Sequence, residues 1–260
     1  MTDTEADTDA GADIDTVASW LREARSVAIL TGAGISTESG IPDFRGPDGV
    51  WTKNPAAERT ATIQHYVADR DHRVRSWAGR AGSPMQNAEP NAGHFALTAL
   101  EGKGKLDTLV TQNIDGLHHA AGTSPERIVE IHGTVRDYAC LNCPDRGPIE
   151  VVLERVREGD EDPHCRSCGG LLKSATISFG QALIAEDLER AQRAAAGCDL
   201  FLAIGTSLTV YPVAALPEIA LQGGARLVIL NAQETPYDPL AAAIVRDRIG
   251  TVLPQIVERV

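Results

Sequence analysis

Basic residues are scarce in this sequence, and lysine is scarcer still. Among 260 residues, 24 are lysine or arginine and 36 are aspartate or glutamate, which gives a net charge of −12. Nucleic-acid phosphates are repelled by an acidic surface, so this balance argues against a general DNA- or RNA-binding protein. A zinc-ribbon protein that binds nucleic acid stays a weak alternative, because no basic, aromatic strip is evident. We therefore expect no specific nucleic-acid partner.

Long apolar runs are also missing. No stretch approaches the roughly 18 consecutive apolar residues of a membrane-spanning helix, and no basic segment followed by an apolar one predicts a secretory leader at the N-terminus. Cysteine is rare, and four of the five cysteines form two Cys-x-x-Cys pairs. That pattern is typical of metal ligands in a reducing compartment. We expect a cytoplasmic protein without a membrane partner.

Short apolar runs alternate with amphipathic segments along most of the chain. Strands are predicted over residues 27–30, 106–110, 128–131, 200–204 and 227–230, and helices over 15–25, 92–100, 185–196 and 213–221. Near-continuous apolar runs are typical of parallel strands covered on both faces. Their alternation with helices predicts an α/β fold with a Rossmann-like, doubly wound parallel sheet.

Two polar stretches interrupt this alternation. Residues 47–90 have helix-like parts and residues 136–175 hold the cysteine pairs. We predict that both are insertions that together form a smaller zinc-ribbon and helical module. The Rossmann-like domain then comprises 14–46, 91–135 and 176–260. Residues 1–13 are small and acidic, and their composition predicts a disordered tail.

The cysteine spacing predicts a metal site on its own. Cys140 and Cys143 form the first pair, Cys165 and Cys168 form the second, and 21 residues separate the pairs. Four thiolates complete a tetrahedral Zn²⁺ site and leave no open position for catalysis. We therefore predict one structural Zn²⁺, with His164 as a weaker competing ligand.

A glycine-rich loop follows the first predicted strand. Gly32-Ala33-Gly34 is the start of a dinucleotide-binding fingerprint, in which backbone N–H groups and a helix N-terminus would approach a pyrophosphate. The third glycine of that fingerprint is missing, so a tight turn explains this motif equally well. A Rossmann dehydrogenase would also need an acidic residue about 20 positions further on, and none is evident at a strand end.

The longer block is far more specific. The sequence Gly32-Ala-Gly-Ile-Ser-Thr-Glu-Ser-Gly-Ile-Pro-Asp-Phe-Arg-Gly46 closely resembles the signature of the sirtuin family. The resemblance continues in the same order through Gln112-Asn-Ile-Asp-Gly-Leu-His118, His132-Gly133, Phe179-Gly180, Gly205-Thr-Ser-Leu208 and Asn231. It implies an NAD-dependent protein-lysine deacylase (deacetylase) that releases nicotinamide and transfers the acyl group of an acyl-lysine protein or peptide to ADP-ribose.

The resemblance also implies which residues bind NAD. In it, Phe44 covers the ribose, Arg45 binds phosphate or ribose, Asp115 recognises the nicotinamide carboxamide, and Asn113 contacts ribose or an ordered water. The full implied set is Gly32, Ala33, Gly34, Ile35, Ser36, Asp43, Phe44, Arg45, Gln112, Asn113, Ile114, Asp115, Gly205, Thr206, Ser207, Asn231, Ala232, Gln233 and Ile249.

One histidine stands out as a catalytic base. His132 follows predicted strand 128–131 at a carboxyl end, and an imidazole can take a proton near neutral pH. The resemblance implies that it takes this proton from a ribose hydroxyl, with Asn113 as a second catalytic residue. The other six histidines lack a strand-end position: His65, His72, His94, His118, His119 and His164.

The segment around Phe179 and Gly180 is implied to bind the substrate. With Val210 and Tyr211 it would hold an extended peptide by strand addition. Ser174, Ala175 and Gln181 depart from the common family form, and these departures leave the acyl preference open. Family members that prefer acidic acyl groups carry a Tyr-x-x-Arg pair, whereas Tyr66 and Arg70 are one residue too far apart.

Two other functions fit the same motifs. An ADP-ribosyltransferase would release nicotinamide in the same way but pass ADP-ribose to a protein side chain. An NAD-sensing binding module without catalysis would leave His132 idle.

Overall fold

A computed structural model describes the backbone of residues 4–260 and the side chains of residues 14–260 apart from Arg59, Pro84 and Gln86. The strands are β1 Val27–Thr31, β2 Leu106–Thr111, β3 Ile128–Glu130, β4 Gly133–Cys140, β5 Arg146–Pro148, β6 Leu172–Thr176, β7 Leu200–Ile204, β8 Arg226–Leu230 and β9 Ala243–Val245. The α-helices are α1 Thr4–Glu23, α2 Val50–Lys53, α3 Pro55–Thr60, α4 Ile63–Ala68, α5 Arg70–Ala81, α6 Ala92–Gly102, α7 Leu117–Ala120, α8 Glu150–Arg157, α9 Ala185–Gly197, α10 Leu216–Gln222 and α11 Ile249–Glu258. Short 3₁₀-helices cover Ala33–Ser39, Pro84–Asn87, Pro125–Arg127, Val213–Ala215 and Asp238–Leu240.

Six strands form one parallel sheet in the order β3-β2-β1-β7-β8-β9. The chain builds one half outward from β1 and the other outward from β7, so the strand order reverses between these two strands. In open α/β sheets such a reversal opens a crevice at the carboxyl edge. The predicted doubly wound, Rossmann-like fold is confirmed.

The sheet divides the core into two layers. Val27 and Ile29 face α1, α6 and α11, whereas Ala28 and Leu30 face α9 and α10. All five residues of β1 are buried, because helices cover both faces of the sheet. Each fully buried aliphatic side chain of this kind contributes about 1.5–3 kcal/mol to folding, so the central strands hold the loops at their ends firmly.

A second, smaller unit forms beside the sheet. Strands β5, β4 and β6 make a three-stranded antiparallel sheet. Trp77 from α5 packs with Leu153 from α8, with Cys165 and with Leu172 in one buried cluster. The two inserted stretches therefore share a core, which supports the predicted small module; its boundaries stay a prediction.

Some predicted boundaries differ from the structure. Helix α1 spans Thr4–Glu23, whereas a helix was predicted over 15–25. The disordered tail over 1–13 stays a prediction, and residues 1–3 lie outside the described part. Strand β9 was not predicted, because its three residues, Ala243–Val245, are too few to show a pattern.

In the part of the chain that the structure describes, no helix is long and apolar enough to cross a membrane.

Asn91 connects the first site loop to helix α6. Its side-chain oxygen accepts the N–H of Gly93 at 2.9 Å, and its amide nitrogen donates to the carbonyl oxygen of Ile35 at 2.8 Å and to Ser39 Oγ at 3.0 Å. One side chain therefore caps a helix and holds the loop after β1 against it.

Replacing this cap should cost stability. We expect Asn91→Ala to lower the free energy of unfolding by about 2 kcal/mol, because an N-cap contributes about 0.5–2 kcal/mol and two further bonds are lost. Urea denaturation measures the change. Ser83→Ala, which removes a cap bond to Met85 N at 3.2 Å on a short 3₁₀-helix, is the control. Equal losses in the two variants would contradict the connecting role of Asn91.

Candidate active site

The loops after β1, β2, β3, β7 and β8 meet at the carboxyl edge of the sheet and enclose a cleft. Its volume is about 910 Å³, within the range of about 300–1,000 Å³ found for ligand pockets. Most residues predicted to act on NAD or substrate line this cleft: Gly32, Ala33, Gly34, Ser36, Asp43, Phe44, Arg45, Gln112, Asn113, Ile114, Asp115, His132, Phe179, Gly180, Gly205, Thr206, Ser207, Val210, Tyr211, Asn231 and Gln233. The fold thus brings them together, and their individual roles stay predictions.

Three predicted NAD-binding residues do not line the cleft. Ile35 and Ile249 are 1% and 7% exposed and belong to the core layer of α6 and α11. Ile249 is the first residue of α11, whose apolar face packs inward, and its contact with adenine stays a prediction. Ala232 is exposed on the surface beside the cleft.

Three glycines allow the loops after β1 and β7 to touch along their backbones. A Cβ atom on Gly34 would lie 2.7 Å from Gly205 Cα, and one on Gly32 would lie 2.7 Å from Gly205 O. Gly205 has a φ of 62°, and its Cβ would lie 2.4 Å from Ile35 N. The Gly34 N–H donates to Gly205 O at 2.8 Å. Gly34 is therefore required for loop–loop contact and its N–H is bonded to the protein backbone, whereas its contact with NAD stays a prediction.

A polar network links the first two site loops. Asn113 Nδ2 donates to Gly32 O and to Ser36 Oγ, each at 3.1 Å, and Ser36 Oγ donates to Asp115 Oδ2 at 2.8 Å. The other Asp115 oxygen accepts the N–H of Leu117 at 2.9 Å. The Asp115 carboxylate is thereby fixed in the cleft as a hydrogen-bond acceptor.

Two buried histidines lie behind this network, and sequence reasoning did not single them out. His94 Nε2 lies 3.4 Å from Ser36 Oγ, His118 Nε2 lies 3.0 Å from Thr31 Oγ1, and the two ring centroids are 4.9 Å apart. Burial lowers the pKa of His94 to about 4 and the pKa of His118 far below its ordinary value, so both rings are neutral. They lie on helices α6 and α7, and the position of a histidine on a helix does not by itself predict that its ring makes a hydrogen bond.

His132 directly follows the end of β3 and lines the cleft. Its Nδ1 lies 3.2 Å from the carbonyl oxygen of Gln112. Because a carbonyl only accepts, Nδ1 carries the proton, and Nε2 of the neutral ring is an acceptor. Burial lowers the pKa of His132 below 6.5, and the Gln112 carbonyl partly opposes this shift. The ring is therefore neutral and able to take a proton at pH 7.

Phe44 and Arg45 lie at the mouth of the cleft. The Phe44 ring is 42% exposed and its centroid is 4.5 Å from that of Trp51. The Arg45 guanidinium lies 4.4 Å above the Trp51 ring and 3.1 Å from Glu58 Oε1. The guanidinium therefore has both a stacking and an ionic partner within the small module.

Residues of the predicted peptide strip also line the cleft. Phe179 pairs through its backbone with Ala61 and Ile63, at 3.1 and 3.0 Å. Tyr211 is 69% exposed across the cleft. One backbone edge of Phe179 is thus already paired, and Gly180 and Tyr211 both line the cleft.

Tyr66 and Arg70 do not form a pair in the cleft. The Tyr66 hydroxyl donates to the carbonyl oxygen of Leu172 at 2.7 Å. Arg70 is directed away to Glu161 and Asp162, at 3.6 and 3.9 Å. This geometry agrees with the expectation that the two residues do not bind an acidic acyl group together.

The four paired cysteines form one cluster. All four Sγ atoms lie within 4.8 Å of one another, with Cys140 and Cys168 at 3.5 Å and Cys143 and Cys165 at 3.7 Å. A tetrahedral site with Zn–S bonds of about 2.3 Å requires Sγ atoms about 3.8 Å apart, so the cluster fits one structural Zn²⁺. His164 is not part of it, because its Nδ1 lies 2.8 Å from Gly169 O.

This chain matches a protein-family model and is similar to known NAD-dependent protein deacetylases. A model described as "Sir2 family" matches residues 32–212. "NAD-dependent protein deacetylase 2" of Streptomyces coelicolor is 48% identical over 88% of this chain and 95% of its own length. "NAD-dependent protein deacetylase" of Haloarcula marismortui is 44% identical over 96% of this chain and 95% of its own length.

Solved structures agree with these relatives. One entitled "Sir2-p53 peptide-NAD+" superposes with a TM-score of 0.82 at 35% identity, covering 92% of this chain and 95% of that one. Another, of Sir2Tm bound to a propionylated peptide, gives a TM-score of 0.83 at 33% identity over 94% and 97% of the two chains.

The cysteine cluster predicts a defined metal content. We expect one zinc per chain by atomic absorption, and none after Cys143→Ala, which should also lose the small module's cooperative unfolding because three thiolates cannot complete the tetrahedron. Cys198→Ala is the matched control, since Cys198 is a buried core residue outside the cluster. A Cys143→Ala protein that keeps one zinc would contradict the assignment.

Proposed function

The chain belongs to the Sir2 family, and from that premise we propose how this cleft carries out its reaction. The protein is an NAD-dependent protein deacylase that acts on acyl-lysine in a protein or peptide. NAD, once bound, supplies a ribose that loses nicotinamide and receives the acyl group. The remaining steps are assigned to residues of the chain itself.

The observation that carries the proposal is the position of His132. Its imidazole lies in the cleft between the NAD loops and the peptide strip, with Nδ1 held by the Gln112 carbonyl at 3.2 Å. Nε2 is then the atom that takes the ribose hydroxyl proton as general base. Burial keeps the ring neutral in the resting enzyme, so the base is ready before substrate binds.

We assign the nicotinamide end of the cleft to the network around Ser36. Asp115 accepts hydrogen bonds from Ser36 and from the Leu117 N–H, and its remaining lone pairs suit the N–H groups of a carboxamide. Asn113 holds Ser36 and supports this arrangement. Ile114 contributes an apolar wall, and Phe44 closes the exposed side.

The phosphate and adenosine end is assigned to the loops after β7 and β8. Thr206 Oγ1 accepts the Gln112 side-chain N–H at 2.8 Å and the Leu208 N–H at 3.3 Å, which leaves its own hydroxyl proton as a donor for a ligand. Asn231 donates its amide to Gln233 O at 2.9 Å, so its amide oxygen is available to accept from a ribose hydroxyl. Arg45 supplies the positive charge near the phosphates.

We also propose a cytoplasmic location. The support is chemical: the four-cysteine cluster requires thiols that stay reduced until metal binds, which a reducing compartment provides.

Loss of the base should stop deacylation without removing NAD binding. For His132→Ala we expect a fall of about 10²–10⁴-fold in kcat/KM on an acetyl-lysine peptide, the usual contribution of general acid–base catalysis, whereas Kd for ADP-ribose changes little. Mass spectrometry of the peptide measures acyl loss and also detects transfer of ADP-ribose. His65→Ala, whose side chain packs on His72 but does not itself line the cleft, should keep most of the turnover. Undiminished turnover by His132→Ala would refute the assignment.

The pH profile should report the same group. Because protonated imidazole cannot accept a proton, kcat/KM should be constant above the pKa of His132 and fall as pH decreases through it. That pKa lies below 6.5, so we expect the acidic limb below this value in a series from about pH 5 to pH 8. The limb should be missing from the residual activity of His132→Ala. An inflection above pH 7 would contradict a base whose charged form is disfavoured by burial.

A further inference from the structure

The loop after β8, residues 231–237, carries the adenosine end of the proposed NAD site, and it contains no helix or strand. Asn231 N donates to Val245 O at 3.1 Å, which ties the first residue of this loop to β9. The Asn231 side chain then donates through Nδ2 to Gln233 O at 2.9 Å. Both residues line the cleft. The direction of the Asn231 amide therefore depends on where the Gln233 carbonyl is held.

Arg246 holds that carbonyl from outside the cleft. Its Nη1 donates to the carbonyl oxygens of Asn231 and Gln233, at 2.8 and 2.5 Å. Arg246 directly follows β9 and is not among the residues that line the cleft. Gln233 O accepts from Arg246 and from Asn231 at once, which uses both of its lone pairs. The guanidinium therefore contacts the backbone of the loop rather than the ligand space.

Asp238 fixes the guanidinium in turn. One of its carboxylate oxygens pairs with Arg246 Nη2, and the other accepts the N–H and the hydroxyl of Thr235 at 3.2 and 2.7 Å. Hydrogen bonds between charged partners are stronger than neutral ones, and the planar guanidinium presents its donors in a fixed geometry. One side chain thus connects three points of a short segment: Asn231, Gln233 and Asp238.

We propose that Arg246 is a positioning residue for the adenosine end of the NAD site. By holding the Gln233 carbonyl where Asn231 Nδ2 donates to it, the guanidinium fixes the plane of the Asn231 side chain. The amide oxygen of Asn231 is then in place to accept a hydrogen bond from an adenosine ribose hydroxyl. The proposal rests on the NAD site given above, and in particular on the assignment of Asn231.

The test compares two probes by titration calorimetry: ADP-ribose, and ADP-ribose whose adenosine lacks the 2′- and 3′-hydroxyls. The unmodified protein should bind ADP-ribose at least about fivefold more tightly than the analogue, because one hydrogen bond contributes about this factor. For Arg246→Ala we expect ADP-ribose to bind about fivefold more weakly and the analogue nearly unchanged, so that the ratio falls below about twofold. A merely structural loss would weaken both probes equally and leave the ratio unchanged.

Two further variants accompany this measurement. Asp238→Asn removes the charge that fixes Arg246 with little change in shape, and it should lower the ratio at least about twofold; it also answers the question if Arg246→Ala fails to fold. Arg226→Ala is the matched control. Arg226 lies at the amino end of β8, pairs with Glu23 at 3.5 Å, and should keep the full ratio when replaced.

Asn231→Ala distinguishes failure of this proposal from failure of the site on which it rests. If Asn231→Ala loses the ratio while Arg246→Ala and Asp238→Asn keep it, the positioning role is refuted and the adenosine site stands. If Asn231→Ala keeps the ratio, or the unmodified protein shows none, the assignment of Asn231 is wrong and the proposal falls with it. The double variant of Asn231 and Arg246 should lose no more than Asn231→Ala alone.

Discussion

The cleft depends on one backbone contact between the loops that follow β1 and β7. These strands are neighbours where the strand order of the sheet reverses, and their loops approach until the Gly34 N–H reaches Gly205 O at 2.8 Å. Any side chain on Gly34 or Gly205 would overlap the opposite backbone. Ser36 and Thr206, which flank this contact, are thereby fixed relative to each other. The polar groups of the second site loop then attach to both, through Asn113 to Ser36 and through Gln112 to Thr206.

The resulting site is organised before any ligand binds. Ser36, Asn113 and Asp115 are bonded to one another and to backbone groups, so their dipoles do not need to reorient during the reaction. The neutral His94 and His118 behind them add polar partners without adding charge. By contrast, the wall formed by Phe44 and Phe179 is aromatic and half exposed, 42% and 38%. A hydrogen-bonded polar network and partly exposed aromatic side chains thus line the same cleft.

The sequence predicted those parts of the fold whose signals are local. Buried parallel strands appear in a sequence as apolar runs, so the bounds of β1, β2 and β7 were predicted to within a residue or two. The cysteine spacing alone predicted the thiolate cluster. Strand β9 was too short to show a pattern. Ile249 was assigned to NAD by similarity, and the structure adds that it lies on the buried face of α11.

Other features depend on contacts between distant segments. Trp51 contacts Phe179, which lies 128 positions later in the chain, and no sequence periodicity predicts such a contact. His94 likewise contacts Ser36 from helix α6, which begins at Ala92, 56 positions after Ser36. The family resemblance named the loops correctly but carried no information on what supports them.

The partner of His132 has a consequence for how long the ring can hold a proton. In many catalytic histidines a carboxylate orients the ring and stabilises the imidazolium that forms. Among the described residues, the hydrogen-bond partner of the His132 ring is the neutral Gln112 carbonyl, which orients the ring but offers only a dipole to its charge. A dipole stabilises the imidazolium less than a carboxylate would. In the proposed role as base, His132 would therefore pass on the proton taken from the sugar rather than retain it.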